Sequence, residues 1–221
     1  MKATLFYLHD PMCSWCWGFR PVWDEIQAKL LERYPTLTIT YIAGGLAPDT
    51  DQLMPAEQRK TIESYWRRIT AELGTTFNHD FWTKNEPKRS TYLACRAVLA
   101  AKRQHQEKNM IHLIQEGYYL GAQNPSEEHV LIDIAGKLFS DDSLDKFIED
   151  IRSGSIEEEL QQSIEQCERL HELRLANGFP SLVLGFEKNL QRITQDYLSV
   201  EVTLQHIDSI LKRAEVIDLD S

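Results

Sequence analysis

The chain has 221 residues, and its 34 acidic against 24 basic side chains leave a net charge of −10, which excludes a surface built to track nucleic-acid phosphates. Hydrophobic residues make up 42% and charged residues 26%, the mix of a globular chain with a real buried core, long enough for one large domain or one domain with a substantial insertion. No stretch reaches the roughly 20 apolar residues of a membrane span.

The first apolar run, ATLFYLH, reads as a buried strand. His9 and Asp10 break it before it attains the about 7–15 residues of a secretory core, so the chain is expected in the cytoplasm, where disulfides tend to be transient and catalytic. The loop DPMCSW leads into an amphipathic helix to about Tyr34, with Val22, Ile26, the Lys29 stem, Leu30 and Arg33 at helical spacing; Pro35 ends it. TLTITYIAGG reads as a second strand, stopped by Gly44 and Gly45. A crossover helix between two such strands implies a right-handed parallel connection.

From about Pro48 to Asn177 only helical patterns follow. The last of them carries a Ser155/Glu158 capping-box pattern, a stripe of Leu160, Ile164, Cys167, His171 and Arg174, and Gly178 as its stop. SLVLGF and LQRIT then read as strands joined through EKN, a hairpin-type connection. VEVTLQHIDSILKRA closes as a helix with Val202, Ile207, Ile210 and Leu211 on one side.

Cys13 and Cys16, in DPMCSWCWGF, carry the chemistry, although their spacing alone suits a redox pair, half of a metal site or two core residues. Helical positions three apart share a face, within range of disulfide closure. A helix start offers unpaired N–H groups and the positive end of the macrodipole, and thiols in such settings fall to a pKa of about 3.5–7.5. Cys13 is the expected nucleophile and Cys16, a turn deeper, the resolving thiol. Cys95 and Cys167 are expected to pack as small hydrophobes, with a disulfide between them left open. Neither has a partner at ligand spacing, so no metal is expected. Trp15 is expected to lie exposed between the cysteines, Trp17 and Trp23 to pack in the core. Asp10 reads as a turn opener and His9 as a structural residue at a strand end.

The order β-α-β, helical insert, β-β-α, with Cys-x-x-Cys opening the first helix, resembles a thioredoxin fold interrupted by a helical domain. DPMCSWCWGFRP at 10–21 and NGFPSLVLG at 177–185 make the chain similar to the DsbA family, most closely its FrnE-like members predicted to act on protein disulfides. The resemblance implies an α/β fold with a thioredoxin-like domain over 1–47 and 178–221. An all-helical insertion domain over 48–177 would fall between the second and third strands. It also implies that Pro21 bends the first helix and that Pro180 is the family's cis-proline. Phe179 would then offer its backbone beside Cys13, with Ser14 and Trp15 on the substrate side.

The function implied is a cytoplasmic thiol-disulfide oxidoreductase, a reductase or isomerase of protein or small-molecule disulfides. No cofactor is expected beyond the redox-active Cys13–Cys16 disulfide, with glutathione as electron partner, and no nucleic acid or membrane partner. Ser14–Trp15 stands where the strongly oxidising family member has Pro-His, which leaves the direction of electron flow open. Two other readings compete. One is a glutathione-linked enzyme similar to kappa-class transferases and 2-hydroxychromene-2-carboxylate isomerases, which place serine where Cys13 stands. The other is a non-catalytic peptide-binding module.

Overall fold

The computed structural model describes residues 3–186 and 189–219. Four strands, β1 (Ala3–His9), β2 (Thr38–Ala43), β3 (Ser181–Phe186) and β4 (Asn189–Ile193), form one sheet in the order β2-β1-β3-β4. β1 runs parallel to β2, with His9 opposite Ala43, and antiparallel to β3, with Leu5 opposite Leu184. β4 returns antiparallel to β3 as the edge strand. Glu187 and Lys188 of the expected EKN connection lie outside the described residues.

Alternation along β1 sends side chains to two buried layers. Leu5 and Tyr7 join Phe19, Trp23 and Ile26 of α1 (Ser14–Arg33) and Leu204 and Ile207 of α9 (Val200–Leu219). Leu8 faces the other way, with Ile42 and Val183, onto Cys167 and Leu170 of α8 (Gly154–Glu172). Because both faces are covered, β1 reads as a nearly continuous apolar run.

Between β2 and β3 come α2 (Ala56–Leu73), α3 (Phe81–Lys84), α4 (Tyr92–Arg103), α5 (Glu107–Tyr119), α6 (Glu128–Ala135), α7 (Asp141–Ile151) and α8. The one-turn α3 has no sequence period to betray it. One isolated bridge, Leu53 to Lys88, stands outside the sheet. α4 is buried along Ala94, Cys95, Ala97, Val98, Ala100 and Ala101, and its alanines let α5, α7 and α8 come close. Among the described residues no helix is long and apolar enough to cross a membrane.

Several boundaries and stripes differ from expectation. Ser153, not Ser155, caps α8: its backbone is extended and its Oγ accepts the Ile156 N–H at 3.2 Å, whereas Ser155 already lies in the first turn. The same helix stops at Glu172, well before Gly178, because Arg174 turns left-handed (φ 59°) and the N–H of Leu175 bonds back to the Leu170 carbonyl at 2.9 Å. Its buried stripe is Ile156, Leu160, Ile164, Cys167 and Leu170, leaving His171 half-buried and Arg174 exposed. In α1 the buried row is Phe19, Trp23, Ile26 and Leu30, while Arg33 points outward to Asp208 at 2.7 Å. Val202 is 44% exposed, since the row that α9 buries runs through Leu204, Ile207, Ile210 and Leu211.

Candidate active site

The site forms where β1 ends. Asp10 turns the chain: its carbonyl accepts the Cys13 N–H at 3.0 Å and its Oδ1 the Met12 N–H at 2.8 Å. This carboxylate is fully buried and does more than open a turn. Oδ2 also accepts from the Leu46 N–H (2.8 Å), the Thr91 hydroxyl (2.7 Å) and the Cys95 thiol (3.6 Å). Those partners are remote in sequence, so nothing near Asp10 announces them. Burial pushes the Asp10 carboxyl up, against the pull of the Leu46, Thr91 and Met12 hydrogen bonds.

Cys13 is the N-cap of α1, with extended backbone (φ −81°, ψ 117°). Its sulfur takes the place of a capping oxygen and accepts the Cys16 N–H at 3.4 Å. The Cys13 thiol in turn donates to the Phe179 carbonyl at 3.4 Å. Cys13 is 6% exposed and Cys16 fully enclosed, so the outer sulfur is the one nearer solvent. Burial, then the hydrogen bond and charge of Cys13, pushes the Cys16 thiol well up. All four cysteines are free thiols.

Phe179 arrives on a loop fixed at several points. The Phe179–Pro180 peptide bond is cis, and Gly178 before it has φ 74°, a conformation that favours glycine. The Gly178 N–H bonds to His171 Nε2 at 3.1 Å and its carbonyl accepts the Ser181 hydroxyl at 2.8 Å. Gln195 Nε2 donates to the Pro180 carbonyl at 2.7 Å. The Phe179 ring lies against Gly44, where a Cβ would overlap Cζ and Cε1.

The helical insert contributes directly to this end of α1. Trp66 of α2 donates from Nε1 to the Ser14 hydroxyl at 3.0 Å. Trp15 is half-buried, contrary to the expected exposure, because Tyr197 meets it edge-on at 5.5 Å and the Arg68 guanidinium lies 5.4 Å from its ring centre. Trp17 is half-buried too, stacked on Tyr119 at 5.5 Å and donating to the Thr76 carbonyl at 3.0 Å. Trp23 is a core residue stacked on Tyr7 at 4.4 Å. Beside Trp15, Phe179 and Pro180 opens a cleft of about 460 Å³ that extends to Arg192, Thr194 and Gln195.

Cys95 and Cys167 are buried, and burial pushes the Cys167 thiol to about 12 and the Cys95 thiol well up. Among the described residues no group of three or more His, Cys, Asp or Glu side chains is placed to hold a metal ion. His9 is enclosed between aromatic rings, and neither ring nitrogen has a hydrogen-bond partner among the described residues. Two residues that tie the site together, His171 and Asp10, carry no sequence motif for these roles.

A two-strand frame extended by a hairpin and a helix, with a cysteine capping the crossover helix, defines a thioredoxin-fold protein. The chain belongs to the thioredoxin family, whose model, described as Thioredoxin, matches residues 6–202. Its structural neighbours are DsbA-family oxidoreductases. A provisionally assigned protein disulfide isomerase from Nitrosomonas europaea is 26% identical and superposes with a TM-score of 0.80 over 96% of this chain and 99% of that one. The cytosolic disulfide reductase DsbM of Pseudomonas aeruginosa, 22% identical, shares the fold with a TM-score of 0.71 over 97% of this chain and 99% of its own. Among curated proteins, the ClpXP adapter protein SpxH of Halalkalibacterium halodurans is 27% identical over 150 residues, 65% of this chain and 47% of that protein. The chain thus spans about half the length of the curated relative it matches.

Proposed function

We propose that the protein is a cytoplasmic thiol-disulfide oxidoreductase that reduces or isomerises disulfides through Cys13 and Cys16. One observation carries this reading: the Cys13 sulfur caps α1, accepts the Cys16 N–H, and faces the Phe179 carbonyl of the cis-proline loop. A negative sulfur there meets the positive end of a helix. Once deprotonated, Cys13 no longer donates to Phe179, and that carbonyl is free to accept an N–H from an extended substrate.

In the reductive direction the Cys13 thiolate attacks one sulfur of a substrate disulfide. A bond forms between Cys13 and that sulfur, and the other substrate sulfur leaves and takes up a proton. Cys16, held as a neutral thiol until then, loses its proton and attacks Cys13; the second substrate thiol leaves, and two electrons have passed from the dithiol to the substrate. Ser14, Trp15, Phe179 and Pro180 border the path by which the substrate sulfur approaches. We divide the chain into a catalytic thioredoxin-like domain, 1–47 and 178–221, and a helical domain, 48–177, that frames the cleft. Glutathione is the electron partner we assign. A structure of the DsbM neighbour, a cytosolic disulfide reductase, is with GSH, which supports that choice.

The test is reduction of insulin disulfides with glutathione as reductant. Cys13→Ser is expected to lose turnover, and Cys16→Ser to accumulate a mixed disulfide at Cys13 visible as a mass adduct. Turnover that survives in Cys13→Ser would overturn the reading in favour of a glutathione-linked transferase, and a wild-type protein without turnover would favour a non-catalytic binding module. The reduction potential of the pair fixes the direction: near about −270 mV indicates a reductase, near about −120 mV an oxidant.

A further inference from the structure

We infer that the cleft beside Cys13 selects small disulfides carrying a carboxylate, and that Arg192 receives that carboxylate. This rests on the oxidoreductase reading and specifies its substrate.

The cleft reaches from Trp15, Phe179 and Pro180 to Arg192 on β4, and among its described lining residues Arg192 is the one charged side chain. Its neighbours along the wall, Asn177, Thr194 and Gln195, are neutral and polar, and no Asp or Glu takes part. In a chain with ten more acids than bases, a cleft walled by Phe179, whose carbonyl the Cys13 thiol meets at 3.4 Å, that holds a cation and no anion favours an anionic guest. Arg192 has no hydrogen-bond or ion-pair partner among the described residues. Arg68, the cation on the other side of Trp15, is neutralised by Glu72 at 2.7 Å.

On β4, the edge strand next to the strand that Pro180 leads into, Arg192 lies opposite Val183. The guanidinium fork matches a carboxylate with two parallel hydrogen bonds, and β4, as an edge strand, leaves it open to solvent. A cleft of about 460 Å³ is the size of small-molecule sites. The chemistry is the exchange already described: Cys13 bonds to the nearer substrate sulfur, the substrate S–S bond breaks, and the departing sulfur takes up a proton. Arg192 orients the arm and does not exchange protons.

The experiment is single-turnover oxidation of the pre-reduced, full-length protein by two disulfides with equally short arms: 3,3′-dithiodipropionate, which carries carboxylates, and bis(2-hydroxyethyl) disulfide, which is neutral. The ratio of their second-order rate constants is the readout. Arg192→Gln is expected to lower that ratio about fivefold, the upper end for a solvent-exposed charge pair, and Arg192→Lys to restore part of it. Added salt should shrink the wild-type ratio towards that of Arg192→Gln. Equal ratios in wild type and Arg192→Gln overturn the inference. So does a charge effect seen only with cystine peptides flanked by acidic residues and absent with dithiodipropionate. If neither disulfide oxidises the wild-type protein, the oxidoreductase reading itself has failed.

Discussion

Cys13 Sγ stands 3.4 Å from the carbonyl oxygen of Phe179, a residue 166 positions later in the chain. One contact that holds Phe179 there is its ring, which lies on the bare backbone of Gly44 just after β2. Gly44→Ala is therefore expected to push the ring away and carry the carbonyl with it. Overpacking of this kind costs about 1–3 kcal/mol of stability. Initial rates of disulfide reduction should fall by more than the loss of folded protein accounts for. Activity that tracks the folded fraction alone would show that Phe179 has no part in catalysis.

His171 holds the same loop from the α8 side. Its Nε2 accepts the Gly178 N–H at 3.1 Å and its ring lies 5.9 Å from that of Phe179, so the imidazole must be unprotonated at Nε2 to do this. His171→Ala is expected to raise KM for a protein disulfide several-fold, with a loss of roughly 1 kcal/mol in stability for one hydrogen bond. His171→Gln, which can present an acceptor from the same helix position, should recover most of the KM. Comparing KM and kcat for the two variants checks this: equal KM values in both would reduce His171 to a packing role.

Elements with a strong period or a motif were legible in the sequence, and contacts between distant segments were not. The alternation and β-branched content of 38–43 marked β2, and Cys-x-x-Cys marked the start of α1. The expected capping box misplaced the α8 start by two residues because Ser153 and Ser155 are both eligible caps, and only backbone conformation distinguishes them. Trp15 read as exposed because Tyr197 and Arg68, which cover it, come from α9's approach and from α2. Asp10 shows the limit most clearly. Its turn role follows from Asp-Pro, but Leu46, Thr91 and Cys95 reach it only through the tertiary fold.

That cluster yields a third prediction. Asp10 is an acceptor for four donors, and an amide in its place would turn an N–H₂ towards some of them. Asp10→Asn is expected to lose about 1–3 kcal/mol at pH 7, the cost of a buried donor left unpaired. Asp10's carboxyl is raised in the folded state by burial, so its favourable contribution is present below the unfolded value and declines as pH rises through the folded one. The deficit of Asp10→Asn relative to wild type should accordingly be larger at pH 4 than at pH 7. Urea unfolding at the two pH values measures it, and a deficit that shrinks on acidification contradicts the assignment.

His9 behaves in the opposite sense. It is 1% exposed, both ring nitrogens lack a partner among the described residues, and burial lowers its pKa from 6.5 to about 3. The unfolded chain therefore takes up a proton near pH 6.5 that the folded protein refuses until about pH 3. Between those values the unfolded state binds more protons, so stability contributed above the unfolded pKa is lost as pH falls, at up to about 1.4 kcal/mol per unit. Replacing His9 by phenylalanine keeps the flat ring that stacks on Tyr7 at 5.5 Å and removes the titration. The variant should lose less stability than wild type between pH 7 and pH 4.5, by about 2 kcal/mol, in denaturant unfolding followed by tryptophan fluorescence. The same slope in both proteins would mean that the imidazole is protonated, or reached by water, in the folded state, and that some other group governs its response to acid.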